Sequence, residues 1–307
     1  MKGALTERIS MAGKRRWFQF SLRSFLLLLT IFGVWLGLHV RSAKRQADAV
    51  AAIKAHGGWV YYDFQYDLAT GGVDQNAESW VPAWLPSRLG DDLFHDVEAI
   101  SLVYNDDTGK RLDHAKVTAS ALPHLEALPD LKGVYLDKTQ ATDEGMRHIG
   151  GLKKLEVLMI WDTSEITDVG ASHLKNLTKL KCLHLSNSRI SDKSLKTFSQ
   201  IPRLEDLSLQ GSQFSDEGLA YVKDMRQLKR LGIGLGNNRK ITDEGLIHLK
   251  GLTRLQTLDL QQTAVTAKGL EHLTGLKSLK WILVTGEIGD LTKIKRALPT
   301  CQISQLD

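Results

Sequence analysis

Four histidines and five hydroxyl–acid pairs are the residues of this 307-residue chain that could do chemistry. His148, His173, His248 and His272 could bind zinc, and the acids could serve as further metal ligands or as general acids. Each histidine, however, precedes an apolar residue of the same helical pattern. They therefore form a column on helices about 8–10 Å apart. Because that spacing is too wide for a shared zinc ion, we predict no metal and no cofactor.

The hydroxyl residues of the pairs stand where a short helix begins, and a hydroxyl at that position accepts a hydrogen bond from a free backbone N–H. The acid that follows favours the positive end of the helix dipole. In the last copy Ala267 replaces the acid while the hydroxyl remains, as capping allows. We therefore predict a structural role for Thr142, Thr167, Ser191, Ser215, Thr242 and Thr266.

Other catalytic patterns do not emerge from the spacing. The sequence holds no H-E-x-x-H or Walker motif, and no Ser–His–Asp or Cys–His arrangement can be assembled from it. The chain is therefore predicted not to be an enzyme. Two cysteines, Cys182 and Cys301, stand far apart and form no disulfide framework.

A repeat of about 24 residues organises the chain around these positions. Six copies begin at successive leucines separated by 24, 25, 24, 24 and 27 residues: Leu131, Leu155, Leu180, Leu204, Leu228 and Leu255. Each reads L-x-x-L-x-L, then a hydroxyl residue that an acid follows in all but the last copy, then L-x-x-L-x-x-L. The first part has the period of a strand and the second that of a helical stripe. Since no copy can bury its apolar face alone, the copies must stack.

The side chains that point away from the core on stacked strands form ladders, because neighbouring strands lie about 4.8 Å apart. The middle ladder holds Tyr135, Met159 and His184, and Trp161 stands on the neighbouring ladder. Exposed aromatic residues are frequent at interface hot spots. We predict a partner-binding surface made of Tyr135, Met159, Trp161, His184, Asp206 and Arg230. Two alternatives stay open: a merely solvated sheet, or aromatics covered by the N-terminal segment or by the loop after Leu102.

This repeat resembles the leucine-rich-repeat family and is similar to its cysteine-containing, GALA-like subclass, whose I-T-D-x-G-L signature it shares. The best matches are Phe214–Leu219 and Ile241–Leu246. The resemblance covers residues 97–307 and implies an α/β solenoid with a curved parallel sheet and helices on the convex side. The layout with one N-terminal anchor also resembles membrane-anchored bacterial proteins of the planctomycete type.

Four segments follow from these patterns: a basic N-terminal segment at 1–23, a transmembrane signal anchor at 24–41, a membrane-proximal helix and cap at 42–96, and about seven repeats at 97–307. Ser24–Val40 carries 17 residues without a formal charge, about 25 Å of helix and enough for a crossing. The last segment ends in a closing strand, with Cys301 expected in its core.

The charge distribution indicates both location and partner class. Residues 1–54 hold ten basic against two acidic residues, which leaves 30 against 33 for the remainder. The body therefore lacks the basic face of a nucleic-acid-binding domain, and we predict no nucleic-acid partner. Six basic residues precede the apolar run, which favours a single-pass protein with a cytoplasmic N-terminus and an extracytoplasmic body. A cleaved secretory signal or a twin-arginine leader at Arg15-Arg16 are the alternatives.

The family resemblance implies a recognition module. We therefore expect a non-catalytic protein that is held by the lipid bilayer and binds a protein or glycan on its concave sheet. The alternatives are an envelope scaffold without a discrete site and an adaptor that selects substrates, as F-box-associated repeats do.

Overall fold

The computed structural model describes residues 22–67, 72–74, 76–102, 120–137, 141–161, 164–236 and 238–306. The chain divides into two compact units, Met1–Ser42 and Ala43–Asp307. The predicted basic segment 1–23 lies outside the described residues except for its last two.

A single long helix, α1, spans Leu22–Ala55. Within the first unit its large apolar side chains are exposed, from 42% at Leu36 to 73% at Leu22. Its length and composition suffice to cross a membrane. The segment predicted as an anchor, 24–41, lies entirely inside this helix.

The second unit contains a parallel sheet to which each repeat contributes one strand. In the described residues its order is β1-β4-β5-β6-β7-β8-β9-β10-β11-β12, with β1 antiparallel to β4 and β2 paired with β3 separately. The strands are β1 Gly58–Tyr62, β2 Tyr66–Asp67, β3 Gly72–Val73, β4 Val97–Leu102, β5 Gly133–Asp137, β6 Val157–Trp161, β7 Cys182–Leu185, β8 Asp206–Ser208, β9 Arg230–Gly232, β10 Thr257–Asp259, β11 Trp281–Thr285 and β12 Gln302–Leu306.

Short helices and 3₁₀ turns form the second layer, because each repeat returns along one helical stripe. The α-helices are α2 Pro86–Leu89, α3 Asp143–Ile149, α4 Asp168–Ser172, α5 Asp192–Phe198, α6 Asp216–Val222, α7 Ala267–Leu270 and α8 Thr292–Ala297. The 3₁₀ turns are Asp91–Leu93, Leu122–Ala127, His173–Asn176, Gly245–Gly251 and Glu271–Leu273. This is the predicted solenoid, with the strands and the helices in separate layers.

One continuous core runs between the two layers. The strand pattern buries its three apolar positions completely, as at Leu155, Leu158 and Ile160, and the helical pattern does the same at Leu174 and Leu177. Burial of each such side chain contributes about 1.5–3 kcal/mol. Since every copy adds the same set to one cluster, the repeats stabilise one another.

The predicted N-caps are confirmed at four helices. The hydroxyls of Thr142, Thr167, Ser191 and Thr266 each accept a hydrogen bond from a backbone N–H in the first turn. At Ser215 the prediction is wrong, because its side chain caps no N–H of α6. Thr242 accepts from the N–H of Glu244 at 3.3 Å, ahead of a 3₁₀ turn.

The acids of the pairs do more than face the helix dipole. Asp168 accepts hydrogen bonds from Ser191 N (2.9 Å), Ser191 Oγ (2.6 Å) and Ser194 Oγ (2.5 Å) of the next repeat. The same carboxylate-to-hydroxyl link recurs in four further pairs. We call these five links the Asp–hydroxyl ladder: Asp143–Thr167, Asp168–Ser191, Asp192–Ser215, Asp216–Thr242 and Asp243–Thr266. It ties each repeat to its successor along the helical layer.

The Asp–hydroxyl ladder also explains why a glycine or serine stands two positions after these acids. That residue packs against the acid of the preceding repeat in most copies. A Cβ added at Gly218 would overlap the carboxylate of Asp192, and one at Gly245 would overlap that of Asp216. Where Ser194 takes this position, its hydroxyl joins the ladder instead. The space beside each acid is therefore reserved for hydrogen bonding.

The two ends of the repeat stack are finished differently. At the N-terminal end, Val50 and Ile53 of α1 enter the core and β1 pairs with β4. At the C-terminal end, β12 adds to β11 in parallel register. Cys301 was expected inside this last layer but precedes the strand and is only half-buried.

Candidate functional site

The strand register brings the predicted ladder residues side by side. Tyr135 pairs with Met159, Met159 with His184 and His184 with Ser208. Asp206 of β8 pairs with Arg230 of β9 in the neighbouring ladder. These pairs confirm the register that the repeat predicts. The register is strongly fixed, because a slip by one residue would turn every leucine of a strand out of the core.

A shallow cavity of about 370 Å³ lies over this part of the concave face. Five of the six predicted residues line it: Met159, Trp161, His184, Asp206 and Arg230. Another cavity, of about 640 Å³, lies against the edge strand β1 and takes in none of the six. The first cavity is therefore the candidate site.

Tyr135 is the predicted residue that the structure leaves out of this cavity. Its hydroxyl lies 2.9 Å from that of Tyr66 on β2, and burial raises the pKa of both phenols. The N-terminal segment thus covers this end of the face, which was one of the open alternatives. Within the described residues this covering does not extend to Trp161, which is half-buried and lines the cavity. The loop after Leu102, the other predicted cover, lies outside the described residues.

Asp206 and Arg230, which are both among the predicted residues, form an ion pair and neutralise each other. The Nε and Nη2 atoms of Arg230 lie 2.7 and 2.6 Å from one carboxylate oxygen, Oδ2. Burial alone would raise the pKa of Asp206, but the facing His184 and Arg230 outweigh it and lower that pKa. The site therefore holds an ionised, 7% exposed carboxylate beside an exposed guanidinium.

Cys182 joins this group, although the sequence analysis did not select it. Its Sγ lies 3.7 Å from Asp206 Oδ2, and burial, followed by the nearby carboxylate, raises the pKa of the thiol. On the other side of the carboxylate, His184 Nε2 lies 3.1 Å from Oδ1. That nitrogen is buried and makes no hydrogen bond. The register alone could have shown that Cys182 neighbours Asp206.

A second buried carboxylate, Asp259, lies further along the cavity and was also missed. It accepts hydrogen bonds from Gln210 Nε2 at 2.6 Å and from the backbone and side chain of Gln261 at 3.0 and 3.1 Å. Among the described residues no cation pairs with it. Asp259 stands on the middle ladder, but the choice of aromatic residues passed over it.

A Ser–His–Asp arrangement, which spacing did not reveal, occurs in the N-terminal cap. His95 Nδ1 lies 2.9 Å from Asp63 Oδ1, and its Nε2 lies 2.7 Å from Ser79 Oγ. The imidazole is completely buried, and the ring of Phe64 lies against it at a tilt, with 4.6 Å between the ring centroids. Since a catalytic histidine must also reach the leaving group of a substrate, this enclosed ring is a brace that joins three segments of the cap.

Comparisons with known proteins agree with the repeat architecture. The family model described as Leucine rich repeat matches residues 153–214, so this segment carries leucine-rich repeats. No curated protein matches the chain.

The chain also matches two solved structures of internalins from Listeria monocytogenes. The first, inlF, is 23% identical with a TM-score of 0.46, and the match covers 59% of this chain and 55% of that one. The second, internalin C2, is 20% identical with a TM-score of 0.49, and the match covers 61% of this chain and 74% of that one. This chain thus spans just over half the length of the first.

Proposed function

We propose that this chain is a membrane-anchored, non-catalytic leucine-rich-repeat protein that binds a protein partner on the concave face of its sheet. The observation that carries the proposal is the cavity over β6–β11. It combines the half-buried Trp161 and Met159 with the Asp206–Arg230 pair and with Asp259. Apolar anchors beside fixed polar groups are what a specific interface needs.

The chemistry of the cavity favours a protein over a small molecule. At about 370 Å³ it accommodates one or two side chains, and it opens onto a sheet that continues on both sides. A standard interface buries about 800 Å² on each partner, which exceeds the cavity and uses the surrounding ladders. We expect an apolar side chain of the partner against Trp161 and Met159, and an N–H donor or a cation at Asp259. A glycan is the competing ligand.

The anchor is a second part of the proposal. The apolar residues of α1 between Leu22 and Val40 are exposed within the described residues, and a bilayer would cover them. The basic residues before the helix favour a cytoplasmic N-terminus, which would place the repeats outside the cytoplasm. We also propose the GALA-like subclass and the planctomycete-type layout, both on the signature and the anchor alone.

Membrane attachment can be tested by carbonate extraction combined with protease protection. We expect the protein to stay in the pellet, and its repeats to be digested only by protease added on the extracytoplasmic side. Release into the supernatant would contradict the anchor. If the repeats were digested only by protease that reaches them from the cytoplasmic side, the proposed orientation would be wrong.

Partner binding can be tested by quantitative capture from membranes of the native organism. Trp161→Ala and Asp259→Asn should each reduce recovery of the same proteins by tenfold or more. Trp281→Ala is the matched control, because Trp281 is 45% exposed on the same sheet but does not line the cavity. A capture profile that no variant changes would favour the scaffold alternative. Loss after glycosidase treatment of the lysate would favour a glycan ligand.

A further inference from the structure

We propose that Cys182, His184 and Asp206 form a binding site for a divalent transition-metal ion of the zinc type. The proposal concerns three residues of one repeat and its neighbour, and it does not depend on the partner proposed above. These residues lie on the sheet and are distinct from the column of helical histidines, for which no zinc ion was predicted.

The strand geometry brings three different ligand types together. Cys182 and His184 are the first and third residues of β7, so their side chains share one face of the sheet. Asp206 begins β8 and pairs directly with Cys182. One ligand atom from each of the three residues lies within 4.8 Å of the other two. Thiolate, imidazole and carboxylate are the groups that zinc binds in proteins.

The separations between these atoms are close to the edges of a zinc tetrahedron. Metal–ligand distances of about 2.3 Å for sulfur and about 2.0–2.1 Å for nitrogen and oxygen give edges of about 3.5 Å from S to O and about 3.3 Å from N to O. The observed values, each to a different oxygen of the same carboxylate, are 3.7 Å from Cys182 Sγ to Asp206 Oδ2 and 3.1 Å from His184 Nε2 to Asp206 Oδ1. With one ligand atom from each residue within 4.8 Å of the others, the three side chains converge on a volume of the size that one ion needs.

The state of each ligand is consistent with a bound cation. His184 Nε2 is buried without a hydrogen bond, and a metal ion would use its lone pair. A divalent ion would take the place of the thiol proton of Cys182, because the thiolate is the form of cysteine that binds a metal. The zinc, the thiolate and the carboxylate together are neutral, and the remaining positive charge is that of Arg230, whose side chain is 63% exposed to solvent.

Arg230 and the cavity complete the arrangement. The guanidinium holds Asp206 by Oδ2, which fixes the carboxylate as an outer partner of a metal ligand does. The three protein ligands leave a fourth position open, and His184 and Asp206 both line the cavity that this position would face. A ligand with a sulfur, nitrogen or oxygen donor could occupy it.

Cobalt titration of the full-length protein in detergent tests the site, because a cobalt–thiolate bond gives an intense near-ultraviolet band. We expect one equivalent of Co²⁺ to produce the band and Zn²⁺ to remove it. Cys182→Ala should abolish the band, and His184→Gln and Asp206→Asn should each weaken cobalt binding by tenfold or more. Cys301→Ala is the matched control and should leave the band unchanged, because Cys301 lies outside this group.

Two results would overturn the proposal: no thiolate band at saturating Co²⁺, or a band that persists in Cys182→Ala and disappears in Cys301→Ala. Circular dichroism of each variant establishes that it is folded. His184→Gln, which alters a side chain that is 21% exposed, keeps the test decisive if Cys182→Ala unfolds. Trp161→Ala should retain cobalt binding, so a failure of the metal site and a failure of partner capture are separate outcomes.

Discussion

The helical layer and the concave face of this solenoid use polar residues in opposite ways. In the helical layer, the Asp–hydroxyl ladder repeats one carboxylate bond five times at nearly the same geometry. On the concave face, each of the polar groups Cys182, His184, Asp206 and Asp259 occurs at one repeat only. Repetition indicates that a group serves the fold. A polar group that occurs once on a regular scaffold, and is buried there, indicates a site.

We expect the largest loss of stability from a substitution that disrupts a link of the Asp–hydroxyl ladder. In Gly218→Ala the new Cβ would displace the carboxylate of Asp192 from Ser215, and we expect a loss of about 3 kcal/mol in the free energy of unfolding. Urea unfolding followed by circular dichroism measures this. Gly275→Ala is the control, because a Cβ there meets open space, and it should change stability by less than about 1 kcal/mol. Equal effects at both glycines would contradict the role of the ladder.

Removal of one carboxylate should cost somewhat less. Asp168→Ala deletes three hydrogen bonds to the next repeat and should lower the free energy of unfolding by about 2 kcal/mol. Asp290→Ala serves for comparison, because Asp290 binds only Thr292 in its own turn. That variant should lose less stability than Asp168→Ala, because Asp290 is exposed to solvent and its two bonds stay within one turn. If Asp290→Ala proved the more damaging, the links between repeats would not be the stabilising part.

At acidic pH, wild type and Asp168→Ala should have nearly the same free energy of unfolding. Burial raises the pKa of Asp168, but the hydrogen bonds from Ser191 and Ser194 outweigh it and hold the pKa below its usual range. The stabilisation is therefore complete above the unfolded pKa of about 3.9 and is lost as the pH falls through the lower folded value. Urea titrations of both proteins at a series of acidic pH values measure the difference. If the difference in the free energy of unfolding between the two proteins grew as the pH fell, this prediction would be wrong.

The smallest effect compares two serines of one repeat. Ser215 donates its hydroxyl to Asp192 at 2.6 Å, whereas Ser208 lines the cavity. Ser215→Ala should cost about 1 kcal/mol, and Ser208→Ala should stay within about 0.5 kcal/mol of wild type. Thermal unfolding of the two variants under identical conditions gives the comparison. A larger loss at Ser208 would assign the concave face a structural role as well.

Much of the fold followed from periodicity alone. The spacing of Leu155, Leu158 and Ile160 sets which side chains enter the core, and it therefore also sets which ones share a ladder. The pairing of Met159 with His184 was predictable for that reason. The role of Asp168 was not, because its partners Ser191 and Ser194 lie in the next repeat and the distance between stacked helices cannot be read from one repeat.

The candidate site was predictable in position but not in content. Trp161 and Arg230 were chosen by residue type, and the register placed them correctly on one face. The cover on Tyr135 comes from Tyr66, in a segment without repeats whose path the spacing does not determine. The convergence of Cys182 with Asp206 was predictable, since the register makes them neighbours. The predicted site was instead built around the aromatic residues, and Cys182 was left out of it.

The Asp–hydroxyl ladder has a direction, and this bears on how such a chain can grow. Every internal repeat offers a carboxylate to its successor and a hydroxyl to its predecessor, so a tandem copy of one unit meets the same template on both sides. Ala267 offers no carboxylate, and Asp290 is turned to Thr292 within its own turn. A unit inserted in the interior would therefore find a partner for its carboxylate and for its hydroxyl, whereas a unit placed directly after Thr266 would find no carboxylate to bind.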